Sequence, residues 1–545
     1  MADITRTPLR GGPAAGASGP AADIRSSGSD RRRWLILVVL CIGQLMIVLD
    51  ATVVNVALPV LQHDLHFTVS SVAWVIDAYL ITFGGLLLLA GRLGDLLGRK
   101  GIFLAGMALF TVSSFLCGVA DSQQLLIAAR FLQGAGAAAM AAMVLTILVS
   151  LFTDPKERLT AMGVYAFVAS AGGSIGLLVG GVITQIVSWH WIFFINIPIG
   201  IATLVLSAIL IPRKRGLGLD HGVDLLGALL VTAAPSLAVY TIVAASQTSW
   251  DARGTMFFAA LTLLTVLAFV VVERRVRYPL VPLRIFNARI RTGAQLARTL
   301  FPVGMFGTFF LSSLYLHEIL GYSPIETGLA FLPCNLLMAV FSLVITRRLV
   351  ARFGARVLLL TGLVLVVGSL LLLSRAPQHA TYATDILPAL VALGVGAGLF
   401  FMPSIALSMA GTRPEESGLA SGLANVSLQF GAALGVALLA GISSSTAVHQ
   451  VLSGVAPQAA LLDGFHEGFL VAAAVVALAV VSVGLLLRPG QVSAERVPAV
   501  PVFSRPRLAL PSAPAIRISQ AHLEQAPAAD GSILRDLDRE EVRVA

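Results

Sequence analysis

The chain is 545 residues long, 57% hydrophobic and only 12% charged, with a mean hydropathy of +0.89 and a formal net charge of +9. Soluble domains carry about a quarter charged residues, so this composition excludes a water-soluble globular protein and points to a polytopic membrane protein. Long continuous apolar runs exclude a lipid-facing β-barrel, and the basic excess fits loop charges on one side of a membrane better than nucleic-acid binding.

Residues 1–33 are rich in Gly, Ala, Pro and Ser and end in Arg31, Arg32 and Arg33. The apolar run that follows is too long for the 7–15-residue core of a signal peptide, so residues 1–33 are expected as a disordered cytoplasmic tail before a retained first helix. Fourteen apolar runs then succeed one another, near 34–58, 72–91, 101–120, 124–151, 159–187, 190–211, 223–245, 254–273, 293–319, 325–346, 356–374, 386–410, 416–443 and 465–487. Most approach the twenty residues that a helix needs to cross a bilayer. Residues 489–545 are polar, charged and Pro-containing, and are expected as a second disordered cytoplasmic tail.

Loop charges support this count. Connections on one side hold nineteen Lys and Arg, among them Arg92, Arg99, Lys100, Lys156, Arg158, Arg213 and Arg274. Those on the other side hold Arg253 and Arg375. A miscounted span would invert the alternation downstream, so both termini are expected in the cytoplasm.

An internal echo divides the chain. GRLGDLLGRK (91–100) and ITRRLVARFGAR (345–356) align with Gly98 on Gly354 and Lys100 on Arg356, although Ala351 replaces Asp95. The expected organisation is a six-helix half at 34–211, two inserted spans with a basic linker at 212–291, and a second six-helix half at 292–488. Cys41, Cys117 and Cys334 lie within apolar runs, without metal-ligand spacing, and read as core thiols.

The stretch IVLDATVVNVALP (47–59) places Asp50 deep in the first span, where a carboxylate costs about 2.5–3.5 kcal/mol on insertion scales. Two readings stand: a structural acid bonded to Thr52 or a neighbouring helix, or a protonatable site in a central cavity. Arg130 in the fourth span reaches a similar depth. If the two meet, the cation holds the carboxylate ionised, and their separation favours proton uptake. Asp77, in WVIDAYLI of span two, either selects cationic substrates or carries a second proton, or bonds across the bundle. Asn55, Gln133, Asn335 and Gln429 are candidate cavity-lining residues. Arg298, His317, Glu318 and Glu326 are read as structural, the last three near an interface.

The loop Gly91, Asp95, Gly98, Arg99 and Lys100 sets a carboxylate among glycines at a helix start. In span five, Gly172, Gly176 and Gly180 recur at four-residue spacing beside Gly173 and Gly181, a pattern that lets helices approach closely. GGSIG (172–176) and GAGAAA (134–139) match soluble-enzyme motifs, but inside apolar helices they lack the strand–turn–helix setting that those motifs require. No zinc signature or Walker loop is present, so no cofactor or enzymatic activity is expected, and energy must come from an ion gradient.

Six motifs in order resemble the major facilitator superfamily, and specifically its fourteen-span drug:proton antiporters. LDATVVNVALP (49–59) is similar to the family's first-span motif, GRLGDLLGRK to its loop motif and RFLQGAGAA (130–138) to its fourth-span motif. GGSIGLLVGG (172–181) is similar to its antiporter motif, and SWHWIFFINIPIG (188–200) and GYSPIETGLAFLP (321–333) to its characteristic junctions. The resemblance covers roughly residues 34–488. Leu177 stands where relatives usually have proline, and Leu428 where they often have a basic residue. The resemblance implies an all-α major facilitator fold in a bacterial plasma membrane. It also implies export of hydrophobic or cationic small molecules in exchange for protons by alternating access, with a latch between the halves at residues 91–100. Protons, a small-molecule substrate and membrane lipids are the implied partners, with no nucleic acid and a functional monomer. A dedicated exporter of one natural product or lipid, and a non-transporting membrane sensor, remain as rival readings.

Overall fold

A computed structural model describes residues 20–487, apart from 153, 214, 215, 217, 219–223, 250, 277, 278, 282–287 and 411–416, with side chains described from residue 31 except at 155, 156, 159, 166, 169–171, 174, 247 and 417–421. The first half comprises α1 (Pro20–Asp64), α2 (Val69–Val72), α3 (Trp74–Leu97), α4 (Arg99–Gly118), α5 (Gln123–Leu151), α6 (Pro155–Ile186), α7 (Trp191–Phe194) and α8 (Asn196–Leu210). Two inserted helices follow, α9 (Leu225–Gln247) and α10 (Arg253–Arg275). The second half comprises α11 (Arg289–Leu314), α12 (Pro324–Val340), α13 (Thr346–Phe353), α14 (Ala355–Leu373), α15 (Leu387–Ser408), α16 (Ser417–Leu452) and α17 (Pro457–Leu486). Among the described residues, π-helical turns occur at Tyr315–Ile319, Phe341–Ile345 and Tyr382–Ile386, all in the second half.

Thirteen helical segments are long and apolar enough to cross a membrane, and α6 adds a fourteenth helix whose stretch 175–186 is apolar. The fourteen expected spans are therefore present as fourteen helices. The start of α1 differs from expectation: the helix begins at Pro20, ahead of Trp34, because an established helix propagates back through a segment that supplies one hydrogen bond per added residue. Residues 1–19 and 488–545 lie outside the described residues, as do Lys214, Arg215, Arg277, Arg284 and Arg413 of the basic loops.

The internal echo appears in the backbone. Gly98 ends α3 with φ 104°, and Gly354 ends α13 with φ 83°, a left-handed conformation that glycine adopts without a Cβ penalty. Lys100 Nζ donates to the Ala208 carbonyl of α8 (2.7 Å), and Arg356 Nη2 donates to the Gly484 carbonyl of α17 (3.2 Å). Each basic residue thus ties its loop to the last helix of its own half. Gly106 of α4 meets Gly136 of α5 closely, as Gly362 of α14 meets Gly396 of α15, so these helix pairs share one register.

The halves meet along two seams. Along one, α6 crosses α12: a Cβ at Gly181 would lie 2.5 Å from the Pro324 carbonyl, and one at Gly328 would lie 2.6 Å from the Leu177 carbonyl. Along the other, α3 lies against α16 through Gly84 beside Gln429 and Phe430, and through Gly422 beside Leu88. The inserted α9 covers this second seam, with Thr232 against Gly85 of α3 and Ile242 against Gly441 of α16. Hydrogen bonds join the halves at the end remote from the 91–100 loop: Ser313 Oγ donates to the Asn55 carbonyl (2.6 Å), and the Ile325 amide donates to Gln185 Oε1 (3.2 Å). Cys41, Cys117 and Cys334 are free and buried.

Candidate functional site: a buried polar network in the first half

Asp50 and Arg130 meet. Arg130 Nη1 donates to Asp50 Oδ2 at 2.6 Å, and both side chains are 1% exposed. Hydrophobic neighbours bring α1 and α5 together, and the pair lies inside that core. Asp50 Oδ1 accepts from Gln133 Nε2 (2.7 Å) and Asn196 Nδ2 (3.3 Å). The same two amides donate to Ser114 Oγ, at 2.6 and 3.2 Å. Gln133 Oε1 accepts from Arg130 Nη1 (2.7 Å) and from the Cys117 thiol (3.6 Å). Four helices, α1, α4, α5 and α8, therefore converge on one carboxylate.

Arg130 is held independently of Asp50. Its Nε donates to the Val75 carbonyl (2.8 Å), and its guanidinium lies 4.4 Å from the centroid of the Tyr79 ring and 5.9 Å from that of Phe193. Cation–π contact and a carbonyl acceptor stabilise a desolvated guanidinium. Departure of Asp50 would leave the arginine with other partners, a property suited to a switchable pair. Thr52 takes no part, since its hydroxyl donates back to Val48 and Leu49 of its own helix.

Neither carboxyl oxygen of Asp77 has a hydrogen-bond partner, although the residue is fully buried. A bond across the bundle, one of the readings open for it, is not formed in this state. Gln133 sits inside the Asp50 network rather than on an open wall. Asn55 and Asn335 each donate back to their own helix, to Ala51 and Phe331, and Gln429 is packed beside Gly84.

The span-five glycines divide between two partners. Gly172 faces Leu45 and Val48, Gly176 faces Thr52 and Gly180 faces Val53, all on α1. Gly181 faces α12 across the seam, and Gly173 points toward Asn335 Oδ1 at 3.8 Å. With Leu177 in place of proline, α6 runs as one helix from Pro155 to Ile186.

In the 91–100 loop, Arg99 Nη2 donates to Asp95 Oδ1 (3.3 Å), and Arg99 Nη1 donates to the Thr146 carbonyl (3.4 Å). These bonds stay within the first half, and Gly91 has open space around it. The linker after α8 also closes on this loop, with the Gly218 amide donating to the Leu96 carbonyl (3.1 Å). Glu326 serves structure: with Ser323 it forms a capping box at the start of α12. His317 Nδ1 contacts the Tyr322 carbonyl at 2.9 Å, and Glu318 is exposed. Arg298 differs from these, being fully buried in the second half.

Sequence reasoning missed Ser114 and Asn196. Each is a polar residue within an apolar helical run, a signal that a count of charged residues passes over. Trp189 and Phe193 belong to the same junction as Asn196, and Trp189 Nε1 donates to Asp64 Oδ2 at 2.9 Å. The junction therefore pins α7 to the end of α1 and delivers Asn196 to Asp50.

A bundle of fourteen apolar helices in two related halves, with an ion pair buried in the first, defines a secondary-carrier type of membrane protein. The family model for the Major Facilitator Superfamily matches residues 40–436 and 296–516. The chain belongs to this superfamily, a family of transporters rather than enzymes. It is 41% identical over 460 residues to a puromycin resistance protein of Streptomyces alboniger, covering 84% of this chain and 90% of that one. With a cephamycin export protein of Amycolatopsis lactamdurans it shares 37% identity, over 75% of this chain and 85% of the other. Among solved structures, a bacterial homologue of the human lysosomal transporter Spinster, inward-facing and unoccupied, aligns with a TM-score of 0.59 at 15% identity over 84% of this chain and 97% of that one. That likeness concerns the fold alone.

Proposed function

We propose that the protein is a proton-coupled exporter of hydrophobic small molecules, antibiotics among them, in a bacterial plasma membrane with both termini in the cytoplasm. The Asp50–Arg130 network carries this reading. Asp50 is bonded by three donors while its cation keeps alternative partners, so a change in helix packing can part the pair and free Asp50 to exchange a proton. The halves are bonded to each other at the end remote from the basic loops, which supports a state with its outer end closed. Asp77 is the candidate second acid, meeting either a proton or a cationic substrate. The span-five glycines form the close-packed outer gate, and the 91–100 loop is the inner element that changes partners between states.

A gradient suffices as the energy source. At about 150 mV one proton supplies roughly 3.5 kcal/mol, enough for about a 300-fold gradient of a neutral solute. The relatives are each named for one antibiotic, which favours a narrow-substrate exporter as the second reading. Proteoliposomes with an imposed pH gradient and puromycin as probe test the proposal. Concentrative movement that collapses with nigericin is expected. Movement indifferent to the gradient would contradict proton coupling, and absence of movement across a wider antibiotic panel would contradict export.

A further inference from the structure

The second half contains a buried cation without a counter-charge. Arg298 of α11 is 1% exposed, and no carboxylate lies within ion-pair distance of it among the described residues. Its hydrogen bonds run to neutral acceptors: Nε to the Ala424 carbonyl of α16 (2.9 Å) and Nη1 to Ser404 Oγ of α15 (2.8 Å). A guanidinium has five N–H donors, so this arrangement leaves both donors and charge to spare.

One helical turn before Arg298 stands Gln295, 3% exposed, and neither end of its side-chain amide has a partner. Residues three apart share a helix face, so the orphaned amide and the cation lie on one face of α11. Such groups are rarely left unsatisfied in a core. Beyond Arg298 on the same face, Phe301 stacks on Phe400 with centroids 3.8 Å apart, and Phe401 packs edge-on at 5.6 Å. The polar end of the site is cationic and the adjoining end aromatic.

We infer that Arg298 and Gln295 bind the acidic oxo group, carboxylate or phosphate, of an amphipathic molecule whose apolar body lies against the Phe301–Phe400–Phe401 cluster. The planar guanidinium matches a two-oxygen anion, and the Gln295 amide supplies a further donor. Binding requires a modest parting of α11 from α15 and α16 to admit the ligand. The inference deepens the export reading by giving the site a preference for acids. It is tested without any gradient, so failure of proton-coupled export leaves it standing, and its own failure leaves export untouched.

The test uses the purified full chain in nanodiscs and a matched probe pair, 1-pyrenebutyric acid and 1-pyrenebutanol, which share a body and differ in the acid. Wild-type protein is expected to bind the acid about tenfold or more tightly than the alcohol. Arg298→Gln should erase that preference with alcohol binding unchanged, Arg298→Lys should restore part of it, and Gln295→Leu should reduce it severalfold. Melting of each variant checks that it is folded, and Arg298→Lys keeps the test valid if Arg298→Gln is not. Nanodiscs of phosphatidylcholine, with and without phosphatidylglycerol, separate the sources of the anion. Competition by phosphatidylglycerol that Arg298→Gln removes identifies a lipid phosphate as the resident ligand, while its absence identifies a soluble acid. Equal affinity of the wild type for acid and alcohol, or a preference that survives Arg298→Gln, would overturn the inference.

Discussion

The two halves pack the same helix pairs in the same register and fill matching positions differently. In the register fixed by Gly106 with Gly362 and Gly136 with Gly396, Ser114, Arg130 and Gln133 of the first half correspond to Leu370, Leu390 and Leu393 of the second. All six are buried, the three leucines completely. The second half holds this pair of helices together with leucines at these three positions and a hydrogen bond from Ser369 Oγ to the Ala389 carbonyl (2.7 Å). The helix register thus accepts apolar side chains at these positions, and replacing buried ion pairs by apolar residues is often neutral or stabilising. The proposed proton coupling gives a reason for keeping the polar network of the first half.

The most damaging change should be one that leaves the network half-built. Arg130→Ala strands Asp50 and Gln133 in the core, and is expected to cost about 3–5 kcal/mol, read as a lowered midpoint of thermal unfolding, and to abolish gradient-driven export. Matched truncation of Leu390→Ala in the second half should cost about 2–5 kcal/mol through the cavity it leaves, but retain the proton response.

The converse change sharpens the comparison. Ser114→Leu, Arg130→Leu and Gln133→Leu together convert these positions to the second half's pattern, and Asp50→Leu beside them removes the acid they would strand. That variant should unfold at or near the wild-type temperature and yet export nothing. A variant that exports normally would mean the network serves packing after all.

Smaller effects are expected at the seam and at Asp77. Gly181→Ala drives a methyl group against the Pro324 carbonyl and should cost about 1–3 kcal/mol of the outer-closed state, seen as greater thiol labelling of a cysteine placed at Gln185. Asp77→Asn should weaken export of cationic compounds more than of neutral ones. An equal fall for both classes would assign Asp77 to proton traffic instead. The smallest effect should come from the loop ties: Lys100→Ala and Arg356→Ala each remove one hydrogen bond, at about 0.5–1.5 kcal/mol, and add independently because they lie in different halves.

Much of the fold is legible in the sequence. A twenty-residue apolar run can hardly be anything but a spanning helix, so the fourteen helices and the Gly98–Gly354 echo follow from pattern alone. Asp50 and Arg130 stood out because charges are scarce in such runs. Ser114 and Asn196 did not, since a neutral polar residue costs little until tertiary packing places it beside a charge. The short helices Val69–Val72 and Trp191–Phe194 fall below any hydropathy window, yet the second delivers Asn196 to the site. Arg298 was visible as a charge, but its lack of a counter-ion among the described residues is a property of three packed helices. The inward position of Gln133 likewise depends on α4 and α8, which no local pattern specifies.

On the proposed mechanism, Asp50 exchanges its proton as it leaves and rejoins Arg130. The most direct test of this is proton release on addition of puromycin to purified protein in weakly buffered detergent solution, comparing wild type with Asp50→Asn. Release by the wild type and none, or a clearly smaller amount, by Asp50→Asn is the predicted result. Equal release by the two proteins, with puromycin bound by both, would contradict it.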